Sequence, residues 1–275
     1  MQNNDLIEKY VKSLEWLRES FLEIGVAIAR DISSYDSEMD DVINPIMGIK
    51  DWDDSCVIEF SGKLVASTDG PYTKRLVMKS ALIHAATDVV VKGAKPLFAL
   101  DTLIGCDKEI KEMAESLKRQ ALAMKIPILG GNTMFEDAEA RCNLTVIGKL
   151  IIDEPIRDSG AKENDILILI GEPIWGEQEE RLKKAKKLFK TWFEILNNEI
   201  KIHAAKDVTK GGLVSCVYEI SEKSNVEFKL NSDSIPYSMT RNLDNFLVSV
   251  SERNCEKIIG ICERNRCEIV VIGKS

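Results

Sequence analysis

A chain of 275 residues, 44% of them hydrophobic, is long enough to bury a full core, as two lobes or as one large α/β domain. Its 37 basic and 45 acidic side chains leave a net charge of -8, which excludes a nonspecific nucleic-acid binder, because such proteins need surplus Lys and Arg to displace counterions. Seven scattered cysteines without a Cys-x-x-Cys pair exclude a disulfide or zinc framework, and a histidine content of only His84 and His203 excludes a histidine-rich metal site.

The opening Met-Gln-Asn-Asn-Asp has no basic region followed by an apolar stretch, so the expected location is the cytoplasm, with neither membrane nor nucleic acid among the partners. Residues 5–29 place Leu6, Tyr10, Leu14, Leu17, Phe21, Ile24 and Ile28 at three- and four-residue steps, which predicts an amphipathic helix. The segment 31–51 has little periodicity and reads as a long loop. Residues 56–60 and 64–67 then predict a hairpin around Ser61-Gly62-Lys63, its second strand delivering Asp69 to a turn.

The stretch 74–92 predicts one buried helix, 96–104 a strand, 108–124 a helix with a charged outer face, and 126–129 a strand closed by a tight turn at Gly130-Gly131-Asn132-Thr133. A strand over 143–152 completes a first lobe. Domain boundaries are expected at 1–50, 51–152 and 153–275, with Asp153-Glu154-Pro155 as the junction. The second lobe reads as strand 165–170 and helix 178–197, then a helix from Gly211, strands at 226–230 and 245–250, helix 251–265 and strand 268–272. Leu182, Ala185, Phe189, Trp192 and Leu196 form the inward stripe of the helix at 178–197. The fold class is α/β (α+β) with two mixed lobes.

Acidic groups stand in a consistent order: Asp53-Asp54, Asp69, Asp88 and Asp207. An acidic protein that handles a polyanion needs a divalent ion between its carboxylates and the phosphates, and these residues supply hard oxygen ligands. Thr209-Lys210-Gly211-Gly212 opens a helix whose free amides and positive dipole end favour phosphate, with Lys206 and Lys210 beside it. Asp207 reads as a carboxylate at that helix start. Asp88 lies in the apolar run 85–91 and is expected to be buried, with His84 one turn earlier as its partner.

Thr68-Asp69-Gly70-Pro71-Tyr72-Thr73-Lys74, the stretch from Asp88 to Asp101, Gly130-Gly131-Asn132-Thr133, and Asp207-Val208-Thr209-Lys210-Gly211-Gly212-Leu213 occur in the order seen in the aminoimidazole ribonucleotide (AIR) synthase, or PurM-like, superfamily. The chain resembles that superfamily from about Asp51 onward. The resemblance implies an N-terminal lobe that pairs with its copy in a homodimeric β-barrel, a mixed α/β C-terminal lobe, and binding of ATP and Mg2+. It places Asp53, Asp54, Asp69, Asp88 and Asp207 on metal positions. Thr68, Asp69, Gly70, Lys74, Asp88, Gly131, Asn132, Thr133, Thr209 and Gly211 fall on nucleotide positions, and Asp69, Asp207 and Lys210 on catalytic ones.

Within the superfamily, Asn132 stands where an acid is usual. No Cys-Gly-Lys loop precedes Asp53, unlike selenophosphate synthetase, and no cysteine closes the sequence as in the hydrogenase-maturation protein that dehydrates a carbamoyl group. Asp53-Asp54-Ser55-Cys56-Val57-Ile58 is similar to the corresponding segment of both thiamine-monophosphate kinase and that maturation protein. The resemblance implies ATP- and Mg-dependent phosphoryl transfer to, or activation of, an oxygen of a small metabolite. A kinase for thiamine monophosphate and a non-catalytic dimeric nucleotide-binding or assembly protein are the alternatives.

Overall fold

The computed structural model describes residues 46, 55, 57–209, 211–231 and 243–275. The predicted helix at 5–29 lies outside them, as does the predicted loop at 31–51 apart from Ile46. The protein is a mixed α/β chain with two sheets and, among the described residues, six helices. It divides into two compact units, Met1–Ala86 with Pro96–Lys149, and Thr87–Lys95 with Leu150–Ser275. No helix among the described residues is long and apolar enough to cross a membrane.

The first unit contains β1 (Leu64–Thr73), α1 (Lys74–Val77), the start of α2 (Ala81–Val91), most of β2 (Ala94–Gly105), α3 (Asp107–Met124), β3 (Ile128–Phe135) and β4 (Arg141–Leu150) up to Lys149. Its open sheet has the order β1-β4-β2-β3, with β1 antiparallel to β4 and β2 parallel to β3. No closed barrel is found among the described residues. Helix α3 buries Ile110, Met113, Ala114, Leu117 and Ala121, spaced three or four apart, and Asp107 and Glu109 in its first turn complement the helix dipole.

The predicted first hairpin strand is reduced to a bridge at Val57, whose carbonyl accepts from Ile46 N at 2.7 Å. The partner of β1 is instead β4, distant in sequence. Nor does β1 stop at Asp69. It runs on to Thr73 through an irregularity between Asp69 and Tyr72, where Gly70 takes φ +129°. A Cβ at Gly70 would meet Asn143 Oδ1 at 2.6 Å, so only glycine lets the strand pass.

The single helix expected over 74–92 is broken at 78–80. Gln120 of α3 stabilises the break: its Nε2 donates to Val77 O at 2.7 Å and its Oε1 accepts from Leu82 N at 3.0 Å. Ser116 Oγ donates to the same Val77 carbonyl at 2.9 Å. Backbone groups that a continuous helix would pair internally are satisfied by α3 instead.

The second unit contains β5 (Ile166–Ile170), α4 (Gln178–Asn197), β6 (Ala204–Asp207), α5 (Gly212–Ser224), β7 (Lys229–Leu230), β8 (Phe246–Val250), α6 (Glu252–Asn265) and β9 (Ile269–Lys274). Its sheet has the order β6-β8-β5-β9-β7, all pairs antiparallel. β5 reads Ile-Leu-Ile-Leu-Ile because it is central and covered on both faces. Leu167 and Leu169 pack with Leu213, Cys216, Val217 and Ile220 of α5. Trp192 and Phe189 of α4 contact Phe246, Trp192 edge-on at 5.2 Å between ring centroids. Trp192 Nε1 donates to Val90 O at 2.8 Å, so the indole is buried without an orphaned donor.

Candidate functional site

Each unit carries its own share of the predicted site residues; Asp53, Asp54 and Lys210 lie outside the described residues. In the first unit Asp69 is half-buried, with Oδ1 accepting from Gly70 N at 2.7 Å. Its Oδ2 lies 3.5 Å from His84 Nε2. Asp69 is thus a carboxylate neighbour of His84. Tyr72 meets the His84 ring edge-on, with centroids 5.8 Å apart. Thr68 Oγ1 is 2.8 Å from Thr145 Oγ1 across the β1–β4 pair. Lys74 Nζ lies 2.5 Å from Glu112 and 3.8 Å from Glu109, and the hydrogen bond to Glu112 raises the lysine's pKa.

The Gly130-Gly131-Asn132-Thr133 segment is not a turn. It runs along β3 in parallel register with β2, Gly131 opposite Asp101 and Asn132 opposite Thr102. The reason lies in Asp101. A Cβ at position 131 would stand 1.9 Å from Asp101 Oδ1 and 2.4 Å from its carbonyl oxygen, so the glycine makes room for a buried acid. Asp101 Oδ2 has no hydrogen-bond partner among the described residues. Burial pushes the Asp101 carboxyl up to about 7, its own backbone amide acting the other way. Sequence reasoning treated Asp101 only as the end of a motif; an acid closing the apolar run Leu97-Phe98-Ala99-Leu100 was the available signal.

In the second unit Asp207 is 4% exposed and ends β6 instead of starting a helix. Its Oδ2 accepts a long hydrogen bond, 3.4 Å, from Thr87 Oγ1, and Thr87 immediately precedes Asp88 on α2. Asp88 is half-buried, less enclosed than its apolar neighbours led us to expect. Val208 N bonds Asn245 O at 2.8 Å while Val208 O accepts from Leu243 N at 2.9 Å, which fixes the chain just past Asp207. Thr209 O accepts from Gly212 N at 3.0 Å, closing a turn into α5, whose N-cap Gly211 is exposed. Amides at that helix start suit an anion.

Lys206, on the opposite face of β6, has its ammonium 3.3 Å from Glu219. Burial works against that charge, but Asp158, Glu219 and Asp207 together raise the Lys206 pKa. Burial pushes the Cys216 thiol to about 11 and the Cys142 thiol still higher, so neither is a ready nucleophile. His203 Nδ1 lies 2.8 Å from Asp165 Oδ2, and Ser249 Oγ donates to that same oxygen at 2.8 Å. The Ser249 hydroxyl is therefore spent on the acid, and this trio lacks the hydroxyl-to-imidazole bond of a hydrolase.

The family model described as AIR synthase related protein, N-terminal domain, matches residues 52–150, and that described as AIR synthase related protein, C-terminal domain, matches residues 144–275. An uncharacterized protein of Methanocaldococcus jannaschii is 40% identical over 242 residues, 86% of this chain and 79% of that one. A selenide, water dikinase of Caldanaerobacter subterraneus subsp. tengcongensis is 34% identical over 176 residues, 57% of this chain and 50% of the dikinase. This chain therefore spans only about half of that relative. The crystal structure of hydrogenase maturation protein HypE in complex with ATP superposes with a TM-score of 0.68 at 17% identity, covering 81% of this chain and 79% of HypE, a likeness of fold.

Proposed function

The chain belongs to the AIR synthase-related family, and from that premise we propose that it binds ATP with magnesium and transfers the γ-phosphoryl group to an oxygen of a small metabolite, or activates that oxygen by doing so. The observation that carries the reading is Asp207, a buried carboxylate held beside Thr87 and followed at once by a glycine-opened helix start. That pairing suits a metal-bound triphosphate. The HypE structure with ATP and the dikinase relative support it.

The donor set fits magnesium. No group of three or more His, Cys, Asp or Glu able to hold a metal is found among the described residues. Magnesium does not need one, because it keeps water and phosphate oxygens and takes one or two carboxylates. In the second unit Asp88 and Asp207 would hold it; Asp69, with Asp53 or Asp54, is the candidate ligand set of the first unit. The ion would supply charge neutralisation on the phosphates. In the second unit Thr209, Gly211 and Lys210 would face phosphate; the first unit's own nucleotide positions would be Thr68, Gly70, Lys74, Gly131, Asn132 and Thr133. His84, beside Asp69, would orient that carboxylate. Transfer of this kind depends on positioning and neutralised charge more than on protein acids and bases.

A thermal-shift series tests the reading: magnesium-ATP is expected to raise the unfolding midpoint, and ATP with a chelator is not. No shift at millimolar magnesium-ATP would sink it. The exposed Asn132 motivates the second reading, nucleotide binding without turnover, which ATP binding without phosphate release in the presence of metabolites would favour. We further propose that two copies pair through the first unit's sheet, where β1 is an edge strand among the described residues and Leu64 is exposed. Sedimentation at micromolar concentration is expected to show a dimer; a monomer would refute the pairing.

A further inference from the structure

The second unit contains a basic cavity that the nucleotide reading leaves unused. Its volume is about 490 Å3 and its walls are Lys92, Ile156, Arg157, Asp158, Ser159 and Lys223. Its walls carry three cations and one carboxylate, a net charge of +2 on a chain whose overall charge is -8, and Glu219 Oε2 stands 3.5 Å from Lys223 Nζ at the edge. Such a volume suits a small metabolite.

The geometry points to this cavity as a binding site for a small dianion, a phosphomonoester or a dicarboxylate; resting on the phosphoryl-transfer reading above, that dianion is the acceptor substrate. Asp158 organises the site. Lys92 Nζ bonds Asp158 Oδ1, and Lys223 Nζ donates to Oδ2 at 2.9 Å, so each carboxylate oxygen holds one ammonium. Burial alone would raise the Asp158 pKa, but the bonds and charges of Lys92 and Lys223, with Lys206, bring it down to about 2. Asp158 is thus ionised throughout the physiological range and fixes both lysines in place before any ligand arrives.

Donors remain for a ligand. Lys92 spends one N–H on Asp158 and one on Ala205 O, at 2.9 Å, and an ammonium has three. Arg157 is exposed and has no ion pair among the described residues, while its carbonyl accepts from Ala205 N at 3.0 Å and so seats its backbone against β6. A guanidinium placed this way suits bidentate recognition of phosphate or carboxylate, and Ser159 adds a hydroxyl. Chain connectivity relates the cavity to the proposed metal carboxylates of the same unit: Lys92 follows Asp88 by one helical turn, and Lys206, whose charge reaches Asp158, precedes Asp207.

Isothermal titration of the full chain with glycerol 3-phosphate, with succinate and with magnesium-ATP tests this. One of the two small dianions is expected to bind, and which one binds more tightly identifies the class. Arg157→Gln and Lys223→Gln, both at exposed positions, are each expected to weaken that dianion about tenfold, the scale of one charge-assisted hydrogen bond, and to leave magnesium-ATP affinity unchanged. A plain structural ion-pair network would show no dianion binding, or binding indifferent to Arg157→Gln and Lys223→Gln; either result overturns the assignment. Loss of magnesium-ATP affinity by the same factor in those variants overturns it too, because the cavity would then hold the nucleotide. If dianion binding stands and magnesium-ATP does not bind, the phosphoryl-transfer reading falls and the anion site remains.

Discussion

Asp207→Asn is expected to lower magnesium-dependent ATP turnover by about a hundredfold or more, the scale on which a preorganised electrostatic group at a reacting phosphate acts. The substitution keeps the shape of the side chain and its reach to Thr87, and it removes only the charge. It should not unfold the protein, because an amide costs less to bury than a carboxylate does. Asp69→Asn in the first unit is expected to behave alike, with the loss of the negative partner beside His84 as well. The measurement is phosphate release at saturating magnesium-ATP, paired with a thermal melt. Unchanged release in both variants would mean that these carboxylates do not handle the nucleotide.

Asp101→Asn is expected to remove a pH dependence of stability on the order of 4 kcal/mol. With a folded-state pKa of about 7 against an ordinary value near 3.8, the native protein keeps a proton that the unfolded chain has released. Stability from this group is therefore fully present below the ordinary carboxylate range. It falls by up to about 1.4 kcal/mol per pH unit as pH rises and is exhausted above the folded pKa of about 7. Cys142 is the titratable neighbour whose ionisation Asp101 opposes, and it stays a thiol throughout this window. Urea unfolding at pH 5 and pH 8 reads the effect: the wild type is expected to lose about 2 to 3 kcal/mol more than the variant over that interval. Parallel profiles would show that Asp101 is ionised in the folded state.

Periodic elements were legible in the sequence. Helix α4 spans the residues its apolar stripe marks, and Leu182, Ala185, Phe189, Trp192 and Leu196 are all buried. β5 was visible as an apolar run because a central strand needs both faces dry. Non-local causes were not legible. Gly130-Gly131 looks like a turn, and nothing near it in sequence reveals that the glycine clears space for an acid on β2. The break after Val77 depends on Gln120, and Asp207 seemed to start a helix because Ala204-Ala205-Lys206-Asp207 lacks the β-branched residues of a strand. The acids Asp69, Asp88 and Asp207 are readable from the sequence as candidate ligands. Their neighbours Thr87 and His84, which set local geometry, depend on contacts that no motif encodes.

Among the described residues, β6 forms one border of the five-stranded sheet and has only β8 as a strand neighbour. A bare border of that kind invites a strand from another molecule and is a common start for aggregation. At Ala205 both outward groups are already occupied: the amide donates to Arg157 O at 3.0 Å, and the carbonyl accepts from Lys92 Nζ at 2.9 Å. An incoming strand would have to displace a covalently tethered segment and strip a charged ammonium from its carbonyl. Two residues that line the cavity, Arg157 through its backbone carbonyl and Lys92 through its ammonium, thereby cover this border at Ala205.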